Sequence, residues 1–403
     1  MTKFCVFCGE KPTEKTKEHI IPKWLIEYTG DLKRIIQVGE RNFSFDQLTF
    51  PACNVCNNEF AELENKTKAV LLKIFNDENI NNLEISLLLD WFDKVRIGLW
   101  LLSLRMVNHF PEVVGEIEPK FYIKNRMRKL DRILNIQKNN STRKGINFIG
   151  TVSPHFLTTP SCFGLVINNY FFTSISYAFL FNQNLGYPVI KNITFDKHFN
   201  FTGTLTKKTN TFKTPLVNSE MIQEGVTFFQ PIIPPNVTLQ MSSKDKKRLL
   251  MTPYHLGIGN IIFFDNKYKI LKTMKFTLNS RIKVGNDYEE VIRFYKEISE
   301  IQNYMQNNIF MKTKIDVSVD AKSREIMKYN LNEISTFHKS LYKETYKEVI
   351  SESIKDHLQA IESDKKIDPF VKNENIKIIA EYFARIKMGE NVKLDFKKNK
   401  KAP

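Results

Sequence analysis

The chain has 403 residues, with 60 Lys and Arg against 44 Asp and Glu, which gives a formal net charge of +16. Its length predicts two or three domains with apolar cores of their own. The positive balance favours a polyanionic partner. Because the chain contains no run of eighteen apolar residues and begins without a secretory signal, we expect a soluble cytoplasmic protein with no membrane partner.

Four cysteines near the start of the chain form two matched Cys-x-x-Cys knuckles. They are Cys5, Cys8, Cys53 and Cys56. Two such knuckles present four thiolates that can converge tetrahedrally on one Zn²⁺. The alternatives are two disulfides, which need an oxidising compartment, or cysteines that fill a core. The spacing therefore predicts a structural zinc site, whereas Cys162, in an apolar stretch, is predicted to be a buried thiol.

Further motifs lie between and after the knuckles. Glu18-His19-Ile20-Ile21-Pro22 separates them, and Asn57 directly follows the second. In this order the motifs closely resemble the HNH (ββα-metal) endonuclease family, in the branch with two zinc knuckles. The resemblance covers residues 5–66, about one sixth of the chain. It implies a strand that presents Glu18 and His19, and a second strand that leads into a helix, with zinc in place of a hydrophobic core.

The resemblance also implies roles for three residues. His19 would be the general base that activates water for attack on a phosphodiester. Glu18 and Asn57 would hold a catalytic Mg²⁺ or Mn²⁺ against the scissile phosphate. These residue types suit the chemistry, because neutral imidazole accepts a proton near neutral pH and hard cations prefer oxygen ligands. Considered alone, His19 would more simply be a structural histidine or a further zinc ligand.

The sequence departs from the family pattern in three places. Asn57 stands where the family has its last histidine. The central residue that orients the base is not evident: Asn42 and Gln47 are candidates, and neither is assigned. The long gap from His19 to Cys53 predicts an insertion in the loop Thr29–Phe50.

Apolar stripes after the second knuckle predict helices over Glu59–Phe75 and Leu83–His109. The second stripe is dense, which indicates a core helix that packs against the nuclease unit or against a second subunit. A homo-oligomer or a partner protein is therefore compatible with the sequence.

Half of the net charge lies in one segment. Residues 1–80 hold 11 basic and 12 acidic residues, whereas Lys120–Lys144 holds nine basic residues and one acidic residue. Met127, Leu130, Ile133 and Leu134 have helical spacing, which predicts a basic helix. We expect this helix to contact the phosphates of DNA, with duplex favoured over single strands, although a solvated helix face is the alternative. The residues expected to bind nucleic acid are Lys124, Arg126, Arg128, Lys129 and Arg132.

The remaining sequence predicts a β-rich region and then a helical one. Between residues 145 and 284, β-rich runs such as Cys162–Ile167 and Tyr170–Ser176 are separated by turn formers such as Asn168-Asn169. Further helices are predicted over Tyr288–Asn308, Ser323–Ser363 and Glu374–Lys387, before a basic tail over Lys393–Lys401.

Together these patterns predict an α+β protein of four parts. They are a zinc-stapled HNH nuclease domain at 1–80, a helical connector with the basic segment at 81–144, a β-rich accessory domain at 145–284 and a helical region with a basic tail at 285–403. We expect a metal-dependent HNH endonuclease acting on DNA, and by analogy of architecture a prokaryotic restriction or phage-defence effector. The alternatives are a non-catalytic zinc module that binds nucleic acid or a partner, and a nuclease gated by a ligand or partner through residues 145–403.

Overall fold

Helices and sheets are mixed along the chain, so this computed structural model confirms the predicted α+β class. The chain divides into two compact units, Met1–Ser335 and Thr336–Pro403. The structure describes residues 4–12, 14–38, 41–106, 122–139, 144–151, 153–158, 160–177, 189–195, 201–206, 225–264, 275–276, 287–308, 314–315 and 369.

The elements are numbered in chain order. The described helices are α1 (Lys23–Thr29), α2 (Asn54–Phe75), α3 (Asn82–Met106), α4 (Ile123–Arg126), α5 (Pro154–Thr158), α6 (Pro235–Leu239), α7 (Ser243–Leu249) and α8 (Asp287–Asn308). The described strands are β1 (Lys15–His19), β2 (Ile35–Val38), β3 (Arg41–Ser44), β4 (Thr49–Cys53), β5 (Ile80–Asn81), β6 (Asp131–Lys138), β7 (Ile146–Ile149), β8 (Cys162–Ile167), β9 (Tyr170–Tyr177), β10 (Val189–Phe195), β11 (Phe201–Thr206), β12 (Val226–Gln230), β13 (Ile262–Phe264), β14 (Lys275–Phe276) and β15 (Lys314–Ile315).

A pair of antiparallel strands and a helix make up the N-terminal part of the first unit. β1 pairs with β4, with Glu18 opposite Phe50 and His19 opposite Thr49. α2 begins directly after β4, and Cys53 caps it by accepting a hydrogen bond from the Cys56 backbone N–H at 3.4 Å. The segment Thr29–Phe50, where we predict an insertion, contains the β2–β3 hairpin and a 3-10 turn at Phe45–Gln47.

α3 is the central helix of the first unit. It packs against α2 and against β6 and β9 of the large sheet. Phe92 of α3 is buried, and the centroid of its ring lies 5.4 Å from the centroid of the Phe172 ring on β9. The prediction of a core helix is therefore confirmed, and the structure gives it packing partners within this chain.

A six-stranded sheet in the order β13-β12-β6-β9-β8-β7 makes up most of the β-rich region, and every neighbouring pair is antiparallel. Successive residues of a strand point to opposite faces. Phe172 therefore packs towards α3, whereas Phe171 stacks on Phe294 of α8 with 4.9 Å between the ring centroids. The turn at Asn168-Asn169 joins β8 to β9, as predicted, and Asn168 adopts a φ of 53°.

The helix predicted over Met127–Leu134 is wrong. α4 ends at Arg126, and β6 begins at Asp131. β6 lies inside the sheet and is buried on both faces, with the adjacent apolar residues Ile133 and Leu134 at its centre. Ile133 joins the α8 side of the core and Leu134 the α3 side. A short apolar run of this kind cannot be distinguished from a helical stripe by its spacing.

The other predictions have different outcomes. The helix over Tyr288–Asn308 is confirmed by α8. The predicted helices Ser323–Ser363 and Glu374–Lys387 and the basic tail Lys393–Lys401 lie outside the described residues. The proposed boundaries at residues 80, 144 and 284 stay predictions. Among the described helices, none has the length and apolar character needed to cross a bilayer.

Candidate metal centre and catalytic cluster

The four knuckle cysteines converge in space. The Sγ atoms of Cys5, Cys8, Cys53 and Cys56 all lie within 4.8 Å of one another, and all four are free thiols. Tetrahedral zinc with Zn–S bonds of about 2.3 Å separates its sulfurs by about 3.8 Å, so this cluster is close to the geometry that zinc requires. The four cysteines can therefore hold a metal ion such as zinc, as their spacing predicts.

Backbone hydrogen bonds bring the two knuckles together. The Gly9 N–H donates to the Cys5 carbonyl at 2.9 Å and closes the first knuckle, while the Val6 N–H donates to Pro51 of β4 at 2.9 Å. Gly9 has a φ of +76°, and a Cβ there would lie 2.6 Å from the ring of Tyr122. This position therefore requires glycine both for its left-handed backbone and for the close approach of the ring.

A lysine lies beside the metal centre. Burial raises the pKa of the Cys56 thiol, and a hydrogen bond from Lys124 opposes that effect. Lys124 also forms an ion pair with Glu59 at 2.5 Å, and its backbone N–H donates to Phe7 at 3.0 Å. A bound metal cation favours the thiolate far more strongly than one lysine does, so this partly buried thiol cluster suits zinc.

β1 presents the two residues that the HNH resemblance makes catalytic. Glu18 is 7% exposed, and the following His19 is half-buried. Burial lowers the pKa of His19, the positive charge of Lys23 lowers it further, and Lys94 adds a smaller effect. The imidazole is therefore neutral at pH 7, which is the form that can accept a proton.

The backbone of Asp46 lies near the His19 imidazole and raises its pKa, which partly opposes the effects of burial and of Lys23. Asp46 lies in the 3-10 turn, where its carboxylate accepts a hydrogen bond from the Ser44 hydroxyl. Of the two candidate orienting residues, Gln47 instead accepts a hydrogen bond from the Ser44 N–H at 3.3 Å, and Asn42 lies on β3 opposite Gln37. The group near His19 is thus a backbone group, and because every residue has one, the sequence could not indicate it.

Asn57 lies in the first turn of α2, after the second knuckle. Its Oδ1 atom is buried, and within the described part of the chain this atom has no hydrogen-bond partner. A buried polar atom normally has a partner, so an orphaned carboxamide oxygen is a position where a cation could bind. This observation fits the metal-ligand role that the resemblance implies for Asn57.

Two residues that the sequence interpretation missed adjoin Glu18. Lys94 of α3 is fully buried and lies 2.5 Å from Glu18 Oε1. Its ammonium also forms an ion pair with Glu64 of α2 and donates to the His19 carbonyl at 3.3 Å. The available signal was a lysine within a nearly continuous apolar helix, because a buried lysine requires acidic partners.

Two arginines of the predicted DNA-binding segment form ion pairs with an acidic side chain within the chain. Arg132 is 2% exposed and pairs with Asp90 at 2.5 Å, so the expectation that Arg132 contacts phosphate is wrong. Arg128 pairs with the same carboxylate. Arg126 lies 4.6 Å from the centroid of the Trp100 ring. Lys129 is exposed, and its nucleic-acid role stays a prediction.

No family model, curated protein or solved structure matches the chain. The resemblance to HNH endonucleases therefore rests on the motifs of residues 5–66 and stays a prediction. The local geometry around the cysteines, Glu18, His19 and Asn57 is the basis for the functional proposal.

Proposed function

We propose that this chain is a metal-dependent endonuclease of the HNH type that hydrolyses DNA. The observation that carries the proposal is the placement of His19 directly after the buried Glu18 at the end of β1, where burial lowers the pKa of the imidazole. The orphaned oxygen of Asn57 supports it by supplying a second oxygen ligand. The succession of β1, β4 and α2 around the four thiols also agrees with the expected strand, strand and helix.

In this mechanism, His19 accepts a proton from the water that attacks the phosphorus. Burial lowers the pKa of His19, so the imidazole is neutral and can accept that proton. Glu18 and Asn57 would hold the divalent cation. Bound Mg²⁺ or Mn²⁺ would stabilise the charge that develops on the phosphate and on the departing oxygen. The four thiols would hold zinc, which is a softer ion, for a structural purpose.

The charge of the whole chain supports a polyanionic substrate. A net charge of +16 favours association with nucleic acid, and the resemblance favours DNA over RNA. A zinc-stapled nuclease unit joined to a large folded region supports, by analogy of architecture, a role in restriction or phage defence.

One observation favours a second candidate function, a non-catalytic zinc module. Glu18 already has a buried partner in Lys94, and this ion pair is a structural use of the carboxylate that needs no catalytic cation. Such a module would need the four cysteines but neither His19 nor Asn57. The two functions therefore differ in what happens when the imidazole is removed.

A cleavage assay separates these two functions. The zinc-bound parent is incubated with supercoiled plasmid and Mg²⁺ or Mn²⁺, beside His19→Ala and the control His255→Ala, whose imidazole is exposed in the β-rich region. We expect nicking by the parent and by the control, and a rate lower by roughly 100- to 10,000-fold for His19→Ala, because that variant lacks the general base. All three proteins should retain about one zinc per chain.

The two remaining outcomes each have a clear meaning. Cleavage by His19→Ala at the parent rate would refute the base assignment. A parent that does not nick the plasmid with either ion would support the non-catalytic module.

A further inference from the structure

The ammonium of Lys94 lies among three oxygen atoms. It forms ion pairs with Glu18 Oε1 and Glu64 Oε1 and donates a hydrogen bond to the His19 carbonyl. They belong to β1 and α2, whereas Lys94 belongs to α3. One buried side chain therefore ties together the strand with the two candidate catalytic residues and the helix with Asn57.

The charges of this cluster do not balance. Lys94 is fully buried and brings one positive charge, whereas Glu18 and Glu64 bring two negative charges. Glu18 is 7% exposed, and the Glu64 side chain is 17% exposed. An excess negative charge in a largely desolvated place is costly unless a cation or a proton compensates it. The cluster therefore favours one additional positive charge next to a carboxylate.

The contacts indicate which oxygen can receive that charge. Lys94 engages Oε1 of Glu18, and in the described part of the chain no hydrogen bond or ion pair reaches Oε2. Glu64 and Asn57 are seven residues apart on α2, so two helical turns place them on the same face. The face of α2 that contacts Lys94 through Glu64 is therefore also the face that carries the orphaned oxygen of Asn57.

We propose that Lys94, anchored by Glu64, is a positioning residue that fixes Glu18 through one carboxylate oxygen and so presents the other oxygen to a divalent cation. The inference deepens the proposed function and rests on it. Lys94 would touch neither the cation nor the substrate. Its contribution would be to hold the Glu18 rotamer and the end of β1, as partners behind metal ligands generally do.

The double variant Lys94→Met/Glu64→Gln tests the proposal without changing the net charge of the cluster. A lone Lys94→Met would leave two unpaired carboxylates, which can prevent folding. The matched control is Lys66→Met/Glu62→Gln, because Lys66 and Glu62 form an exposed ion pair on the same helix. Mn²⁺ binding to the zinc-bound proteins is measured by electron paramagnetic resonance, so the readout does not depend on cleavage.

Positioning predicts that the Mn²⁺ dissociation constant rises in the double variant by roughly tenfold, within the range for residues behind metal ligands. The control should bind Mn²⁺ as the parent does, and every protein should retain its zinc. Unchanged Mn²⁺ binding in a folded double variant would overturn the proposal. A parent that binds no Mn²⁺ would overturn the proposed cation site itself, together with this inference.

A crystal structure of the Mn²⁺-soaked parent tests the proposal even if the double variant does not fold. We expect the ammonium of Lys94 to stay on Glu18 Oε1 while Mn²⁺ binds Oε2. An ion that displaces Lys94 from Glu18 would show that Lys94 competes with the cation, contrary to the proposal.

Discussion

Arg132 of β6 and Asp90 of α3 form a buried ion pair between the central strand and the central helix. Arg132 Nη1 lies 2.5 Å from Asp90 Oδ1, and the two residues are 2% and 4% exposed. Arg132 also donates to Gln230 of β12. Burial opposes ionisation of Asp90, yet Arg132 and then Arg128 outweigh it and lower the pKa of this carboxyl. The basic segment thus contributes to the core of the protein.

We predict that Arg132→Met destabilises the protein by about 3 kcal/mol, because Asp90 loses its buried partner and keeps only Arg128, and the buried Gln230 carboxamide oxygen loses its donor. The measurement is the free energy of unfolding from urea denaturation. The matched control is Arg248→Met, since Arg248 has a half-exposed side chain and a looser ion pair with Asp245 at 3.5 Å. The control should change stability by less than about 1 kcal/mol. Equal effects in the two variants would contradict a structural role for Arg132.

The cysteine cluster gives a second prediction. The double variant Cys53→Ala/Cys56→Ala should lose the zinc and much of the structure of residues 4–66, because a structural zinc supplies folding free energy directly. Zinc content is measured by atomic absorption, and structure by circular dichroism and limited proteolysis. A chelator should have the same effect on the parent.

Cys162→Ala is the control for this experiment. Cys162 is fully buried and lies outside the cluster, so its loss removes a packed thiol but no candidate ligand. We expect about 1 kcal/mol of destabilisation and unchanged zinc content. Loss of zinc from Cys162→Ala, or retention of zinc by the double cysteine variant, would contradict the assignment of the metal centre.

The cysteine cluster and the long helices could be predicted from the sequence, because local sequence patterns indicate them. The Cys-x-x-Cys spacing predicted the cluster of four thiols, which the structure confirms as a set of atoms within 4.8 Å. Periodicity over long segments predicted α2, α3 and α8, since an amphipathic or apolar stripe of many residues is hard to satisfy in any other way.

The remaining features depend on contacts between residues distant in sequence. Glu18 and Lys94 are 76 positions apart, and no local pattern indicates that they meet. The group of Asp46 that affects the pKa of His19 belongs to the backbone, so any residue could supply it. β6 was mistaken for a helix because Met127, Leu130, Ile133 and Leu134 have helical spacing, although residues 134–137 alternate apolar and polar side chains. Tertiary packing, and not local preference, determined each of these features.

The exposed part of the basic segment gives a third prediction. Lys129 is exposed, whereas Arg132 is buried, so within this pair only Lys129 can contact phosphate. Lys129→Met should weaken DNA binding and reduce the salt dependence by about one phosphate contact. Lys247→Met is the control, because Lys247 is an exposed residue of α7 and its loss changes the net charge equally. Identical salt slopes for the two variants would show that Lys129 contributes only to the overall charge.

The pKa of His19 gives a fourth prediction. Burial, and then Lys23, lower it from an ordinary value of 6.5, so the neutral base persists into mildly acidic solution. The acidic limb of kcat/KM should therefore lie below pH 6.5. Lys23→Gln removes a positive charge that disfavours the imidazolium, so it should raise this pKa and reduce cleavage at about pH 6 but not at about pH 8. Nuclear magnetic resonance of the zinc-bound protein without Mg²⁺ measures the same pKa independently of cleavage. Lys33→Gln, which removes another exposed charge, should leave it unchanged, and an equal shift in both variants would mean that the effect of Lys23 is not local.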